Sequence, residues 1–230
     1  MGLEAGLKAL VRNSIAQLDR RGSGTKTIVM RILGNRLQKD RRSQLQIDSI
    51  KAVRRCSIRI VGAANRVSIL GQISHCEIRV EGSGNSITIE RGAVIGWTEF
   101  SIIADNSEIL IGRDVYINGK KSAQNLFLAR GAPSRIELSD NCLVSYGVEA
   151  RTSDSHKILD SEGNRINPEA DIFIDRHVWI GARTSILKGC TIGEDSIIAM
   201  GSIVTKDVPS SVIAAGSPCE TVKNDINWEL

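Results

Sequence analysis

Three histidines, His75, His156 and His177, carry the side chains whose ordinary pKa lies near neutrality, so proton transfer in this 230-residue chain looks first to them. His156 stands apart by its setting. It lies within residues 151–173, a stretch rich in Arg, Ser, Asp, Gly and Asn that interrupts a regular aliphatic repeat on either side. An imidazole in such a hydrophilic excursion could take a proton from a hydroxyl and return it to a leaving group. A solvated loop histidine is the competing reading. Asp154, two residues earlier, either orients the imidazole or is a solvated acid. His75 falls in a turn of the repeat and His177 beside one of its corners, and both read as surface or packing residues.

Other chemistries find less support. A catalytic zinc site wants three ligands held close together, yet the sequence has no His-x4-His pair, and His156 and His177 flank a long loop. No metal is expected. Cys56, Cys76, Cys142, Cys190 and Cys219 are dispersed without a Cys-x-x-Cys pair, which reads as reduced core thiols of a cytosolic protein. Cys56 and Cys76 are 20 residues apart and would stack inside the repeat, but a reducing compartment disfavours a disulfide there. The run from Arg21 to Thr27 has the glycines of a phosphate loop, but Thr25 rather than Gly precedes Lys26, so that motif fails.

The elements that must position His156 are written in sixes. Ile174, Ile180, Ile186, Ile192, Ile198 and Val204 recur at every sixth residue, and Val178, Thr184, Cys190, Ser196, Ser202 and Val208 follow each by four. A period of six fits neither a helix face nor a lone strand. It fits a solenoid of short straight runs and turns, three hexads to a coil, with aliphatic side chains stacked inside a triangular prism. The 31 isoleucines against 3% aromatics suit stacked β-branched ladders better than an aromatic-anchored globule. Upstream, Ile58-Arg59-Ile60 and Val67-Ser68-Ile69 return 20 residues later as Ile78-Arg79-Val80 and Ile87-Thr88-Ile89, with Gly62, Asn65, Gly82 and Asn85 suited to corners. Leu138, Val144 and Ala150 then fall into hexads. Positions 156, 162 and 168 break the pattern with His, Glu and Pro, although Ala150 and Ile174 remain a multiple of six apart. The coils are expected over 56–208, with the insertion at 151–173 and a C-terminal tail at 209–230. Adjacent coils should pair as parallel strands about 4.8 Å apart, giving a rod on the order of 35 Å long.

Residues 1–55 read differently. Leu3, Leu7, Leu10, Val11, Ile15 and Leu18 share one side of a helical wheel over residues 2–19, an apolar stripe suited to capping the open end of the solenoid or to a neighbouring subunit. Residues 20–55 hold eleven Lys and Arg against Asp40 and Asp48, a net of +9 that leaves −5 for the rest of a chain totalling +4. That block could meet an acidic polymer or simply be a solvated face. It has no interleaved stacking aromatics, so nucleic acid is not an expected partner. No run approaches the roughly 18 apolar residues of a membrane span, and no signal-peptide pattern opens the chain, so a cytoplasmic location is expected.

Several runs together resemble the hexapeptide-repeat acyltransferases, and within them the bacterial polysaccharide O-acetyltransferases. They are Thr152-Ser153-Asp154-Ser155-His156, Arg165-Ile166-Asn167-Pro168, His177-Val178-Trp179-Ile180-Gly181, Ile186-Leu187-Lys188-Gly189, the segment from Met200 to Pro209, and Ala215-Gly216-Ser217-Pro218. The resemblance is dense over 138–230, structural over 56–137 and absent over 1–55. It implies an all-β fold, a left-handed parallel β-helix, with acetyl-CoA as donor and a homotrimer whose active sites lie between subunits. The hand comes from the resemblance alone, since the general rule for parallel crossovers is right-handed.

By the same resemblance His156 is the general base. It would take the proton of a sugar hydroxyl, whose oxygen attacks the acetyl carbonyl directly while backbone N–H groups hold the oxyanion. Trp179 would line the acceptor or donor pocket, Asn125 would hydrogen-bond the acceptor, and Asp154 would stand beside it. The donor would run along one edge of the late coils past Gly181, Ala182, Met200, Gly201, Thr205, Lys206 and Pro218, with Lys206 meeting a phosphate. Where the family usually has Gly-Ala-Gly-Ser, this chain has Ala199-Met200-Gly201-Ser202. Another acceptor (a free sugar, an antibiotic, serine or an amino sugar) or a non-catalytic scaffold are the rival readings. The break at His156 argues against the scaffold, which has no reason to interrupt its ladder.

Overall fold

A strand that turns Ile or Val inward at every second position, and then meets a corner, cannot bury that side chain alone. Stacking coil on coil does so. The computed structural model describes residues 27–32, 34–131 and 133–229. In them the chain winds into the expected left-handed parallel β-helix. Faces 1 and 3 of the prism are 9-stranded sheets and face 2 is 7-stranded. Each coil visits the faces in the order 1, 2, 3. Ser57–Val61, Arg66–Ile69 and Gln72–Ser74 make one coil, and Glu77–Glu81, Ser86–Ile89 and Val94–Gly96 the next, strand on parallel strand. The hexad residues Ile174 to Val204 and their partners four positions on are all buried, as the repeat requires.

The corners are held by polar groups. Between faces 1 and 2, Asn85 Nδ2 donates to the Ala104 carbonyl (2.7 Å), its Oδ1 accepts from Ser107 N–H (2.9 Å), and its own N–H donates to Asn65 Oδ1 (3.0 Å). Asn65 and Asn85 are buried, and each satisfies backbone groups that the turn would otherwise strand. Gly62 and Gly82 stack at the same corner with φ of 106° and 117°. A side chain on Gly62 would run into the Gly82 carbonyl, and one on Gly82 into that of Ala104.

The ladder begins earlier than the repeat at Cys56. Asn35–Asp40 pairs in parallel with Ser57–Val61, and Gln44–Ile47 with Arg66–Ile69, so much of the basic block forms a first coil. Its inward residues Leu37, Leu45, Ile47 and Val53 are too irregularly spaced to show the period. Thr27–Ile32 folds back antiparallel on Asn35–Asp40. At the far end Ile213–Ala215 continues face 3 and Glu220–Lys223 turns antiparallel against it. The helix expected over 2–19 and the glycine turn up to Lys26 lie outside the described residues. Among the described residues no helix is long and apolar enough to cross a membrane.

Asn85→Ala should lower stability by on the order of 2–4 kcal/mol, since it leaves the Ala104 carbonyl and Ser107 N–H of the next coil unpaired. The outward-facing Thr88→Ala on the adjoining strand should change it by less than about 0.5 kcal/mol. Thermal denaturation of both variants checks the difference.

Candidate active site

The excursion leaves the rod at the corner between faces 1 and 2. Strand Glu149–Arg151 ends face 1, and face 2 resumes with Ile172–Ile174. Ala150 pairs with Ile186 and Leu138 with Ile174, so the ladder closes around the insertion in register. Thr152 seals its base: the hydroxyl accepts from Arg130 N–H (3.0 Å) and the carbonyl from Ala170 N–H (3.1 Å). Beyond it the chain doubles back as a narrow hairpin, with Ile166 N–H donating to the Ile158 carbonyl (2.9 Å). Asp160 folds the tip by accepting from the N–H groups of Glu162 and Asn164, both at 2.9 Å.

His156 is exposed between this base and the hairpin. Its backbone is clamped by Asn167, which is only 7% exposed. Asn167 Nδ2 donates to the His156 carbonyl (2.8 Å) and to Asp154 Oδ2 (2.7 Å), and its Oδ1 accepts from Ile158 N–H (2.6 Å). Ser155, at φ 67°, turns the chain just before the histidine, and its N–H donates to the Ser153 hydroxyl (3.1 Å). The imidazole itself has no side-chain hydrogen-bond partner among the described residues. Asp154 does not orient it. The Asp154 carboxylate takes Lys188 Nζ and Asn167, and Lys188 first and Asn167 second hold it below the usual carboxylate range. Arg165 grips Glu169 with both guanidinium nitrogens (2.9 and 2.6 Å) and lowers that carboxyl to about 2.

The remaining expected residues fall into two groups. Leu187 and Lys188 stack in register over Thr205 and Lys206, on the same corner as the His156 loop. Gly181, Ala182, Met200 and Gly201 occupy the corner between faces 3 and 1, with Trp179 on the adjoining strand Trp179–Ile180. Gly201 and Lys206 sit on either side of strand Ile203–Val204, roughly 16 Å apart at the rise of a strand. The expected donor residues therefore do not share one edge. They flank face 1, because a hexad carries the chain from one corner to the next.

At Gly181 there is no room for a side chain against the backbone of Ala199 and Met200, whereas Gly201 looks onto open space and Met200 is 70% exposed. A thin ligand arm can lie there against backbone and thioether. Lys206 pairs with Glu220 (2.8 Å), and Pro218 is exposed in the tail beside Cys219, whose N–H donates to the Ile203 carbonyl (2.8 Å).

Asn125 departs from its expected part. It is 1% exposed, and its Oδ1 accepts from Val148 N–H (2.8 Å), as Asn35 Oδ1 does from Cys56 N–H. Its Oδ1 clamps one coil to the next, while its Nδ2 is buried with no hydrogen-bond partner among the described residues. His177 is a packing residue: its ring stacks on Trp228 at 4.2 Å and Nδ1 meets Asp195 Oδ1 at 2.7 Å. Trp179, 39% exposed, tilts against the same Trp228 at 6.0 Å. Asn167, Lys188 and Trp228 were missed as participants. The first two stand inside the resembling runs, but only the folded loop gives them partners.

A cavity of about 650 Å³ opens elsewhere, between faces 2 and 3, lined by residues such as Glu137, Asp140, Arg113 and Arg176, and it includes none of the expected site residues. Among the described residues no group of His, Cys, Asp or Glu is placed to hold a metal ion.

The Arg165–Glu169 pair sets a pH dependence for the loop. A carboxyl lowered from 4.5 to about 2 stabilises the folded loop above pH 4.5, and that contribution is lost as pH falls towards 2. Amide protection across residues 153–169, taken relative to the unstructured exchange rate at the same pH, should be high at pH 5 and fall below about pH 3, while Glu169→Gln should show low protection already at pH 7.

The bacterial transferase hexapeptide family (six repeats) matches residues 171–206. The galactoside O-acetyltransferase of Escherichia coli (strain K12) is 33% identical over 162 residues, 68% of this chain and 75% of that protein. The polysialic acid O-acetyltransferase of Escherichia coli O1:K1 / APEC is 33% identical over 128 residues, 55% of this chain but only 40% of its own length. Among solved structures, the polySia-specific acetyltransferase NeuO superposes with a TM-score of 0.68 at 27% identity, over 82% of this chain and 85% of that one. With its rod of stacked hexads interrupted by a histidine-bearing loop, the chain belongs to the family of hexapeptide-repeat O-acetyltransferases.

Proposed function

We propose that the protein transfers an acetyl group from acetyl-CoA to a sugar hydroxyl of a bacterial surface polysaccharide or its saccharide precursor, in the cytoplasm, with His156 as general base. The observation that carries this reading is an exposed imidazole on a backbone fixed by Asn167, in a loop that breaks an otherwise unbroken ladder. The names of the relatives, acting on polysialic acid and galactosides, support a saccharide acceptor. Five buried free cysteines support a reducing compartment.

In this reading His156 accepts the hydroxyl proton, the oxygen attacks the thioester carbonyl, and the carbon–sulfur bond breaks as the proton passes to the departing thiolate. Backbone N–H groups hold the oxyanion. Gly181, Ala182, Met200, Gly201 and Pro218 would hold the donor's pantetheine arm, Trp179 would stack on the arm or on the acceptor sugar, and Thr205 and Lys206 would take a phosphate. Asp154 acts through Lys188 and Asn167 by fixing the loop that carries the base. The two groups of residues stand at opposite ends of a face, which supports a site completed by a second copy of the chain, in a homotrimer.

Incubation with acetyl-CoA and a panel of bacterial oligosaccharides should release free thiol, and His156→Ala should reduce the rate by about 10²- to 10⁴-fold. Equal rates in the two proteins would exclude His156 as the base. Co-assembly of His156→Ala with Trp179→Ala subunits should restore about a quarter of the sites if they lie between subunits, and none if they lie within one. Lys206→Ala should raise KM for acetyl-CoA more than it lowers kcat, and an unchanged KM would remove its role at the donor phosphate.

A further inference from the structure

The corner between faces 3 and 1 carries a row of side chains that the reaction above does not use. Two positions beyond the paired residues Val53, Ile73, Ile95, Ile117 and Val144 stand Arg55, His75, Trp97, Gly119 and Tyr146. The same register continues to Ala182 and Met200. Arg55 Nη1 lies 3.4 Å from His75 Nε2, and the His75 ring stacks on Trp97 at 4.2 Å with 9° between planes. After Gly119 a short bulge brings Lys120 Nζ over the Tyr146 ring at 3.7 Å. Arg55, His75, Trp97, Lys120 and Tyr146 thus follow one another along one line for four coil steps, roughly 19 Å at the spacing of stacked strands.

His75 and Trp97 adopt φ of 56° and 46°, a left-handed conformation that bulky side chains seldom occupy. Glycine makes such turns without strain, and Gly147 and Gly201 take that conformation at this corner in other coils, with φ of 72° and 77°. Arg55 and Arg183 take it at this corner too, with φ of 54° and 58°, so the turn directs a line of large side chains outward along the corner. Beside the row on face 3 run Ser74, Gly96, Asn118 and Ser145, and the rings of His75, Trp97 and Tyr146 are half-buried, with Ser74, Asn118 and Ser145 able to hydrogen-bond hydroxyls. The nearest acids, Glu77, Glu99 and Glu149, lie on face 1, on the other side of the corner.

We propose that this row is a binding subsite for an extended anionic saccharide chain. Sugar rings pack against Trp97 and Tyr146 on the sides that His75 and Lys120 leave free, and their acidic groups meet Arg55 and Lys120. The inference rests on the saccharide acetyltransferase reading and adds to it a track distant from His156. Because the row leads to Ala182 and Met200, it would guide a bound chain towards the donor.

The test compares wild type, Arg55→Ala, Trp97→Ala and Trp97→Phe with two acceptors, a long sialylated polymer and a neutral disaccharide. Both alanine variants should raise KM for the polymer about tenfold, consistent with losing one stacking or charge contact. They should leave kcat and the disaccharide kinetics unchanged and flatten the dependence of polymer KM on salt. Trp97→Phe should recover most of the affinity. Polymer KM unchanged in both alanine variants would overturn the subsite, as would wild type that turns over the disaccharide but binds no polymer in calorimetry. If no acceptor is turned over, the enzymatic reading fails. Calorimetric binding of the polymer by wild type, lost in Trp97→Ala, would still uphold the subsite, and its absence would overturn it.

Discussion

Parallel pairing between coils, at a spacing of about 4.8 Å, is the constraint from which the rest of this molecule follows. Once each strand is hydrogen-bonded to its equivalent one coil away, an inward side chain touches the inward side chains above and below it. The interior therefore becomes a set of columns, such as Ile58 on Ile78 on Phe100 on Phe127 on Ala150 on Ile186 along face 1. A polar residue in such a column would strand itself, so polarity is confined to the corners, where Asn35, Asn65 and Asn85 repay their burial by bonding backbone of the next coil. The same rule governs insertions. An excursion must leave at a corner and return in phase, as the chain does between Arg151 and Ile172.

This arrangement divides rigidity and chemistry cleanly. The faces supply a fixed ruler, and the loop at the corner between faces 1 and 2 supplies the one imidazole presented without a side-chain partner among the described residues. The loop is not loose. Thr152, Asn167 and the Arg165–Glu169 pair fix its base, middle and hairpin in turn. A histidine held through its backbone keeps ring rotation available, whereas one held through its ring is fixed in orientation by the partner. Lys188 and Asp154 tie that loop to the coil below, so the position of the histidine depends on the straightness of the rod.

The period of six, the inward columns, the insertion and its in-phase return were all legible in the sequence, because each is a repetition that stacking forces on residue types. The first coil was not legible, since Leu37, Leu45, Ile47 and Val53 satisfy burial without satisfying a period. The hand of the helix was carried by resemblance and not by periodicity, which is the same for either hand. Site residues were legible only as types. His156 could be singled out by the broken repeat, but Asp154 turned out to face Lys188 and Asn167, and Asn125 to be a coil clamp. Those outcomes depend on which way a loop or corner side chain turns, a property with no signature in spacing. The two-corner separation of Gly201 and Lys206 was implicit in the hexad, since consecutive corners are a strand apart.

Both described ends of the rod are finished by a reversal of strand direction. Thr27–Ile32 lies antiparallel on face 1 at one end, and Glu220–Lys223 lies antiparallel on face 3 at the other. A β-helix is otherwise an open stack whose last coil presents the same unpaired backbone edge that every interior coil uses to bind its neighbour. Left bare, each rod would be a template for the next, and the molecules would join end to end into a fibre with no natural stopping point. A strand running the wrong way occupies those donors and acceptors in a pattern that another parallel coil cannot match. Each reversal thus closes one of the three faces at its end of the rod, an obstacle to another coil adding there in register.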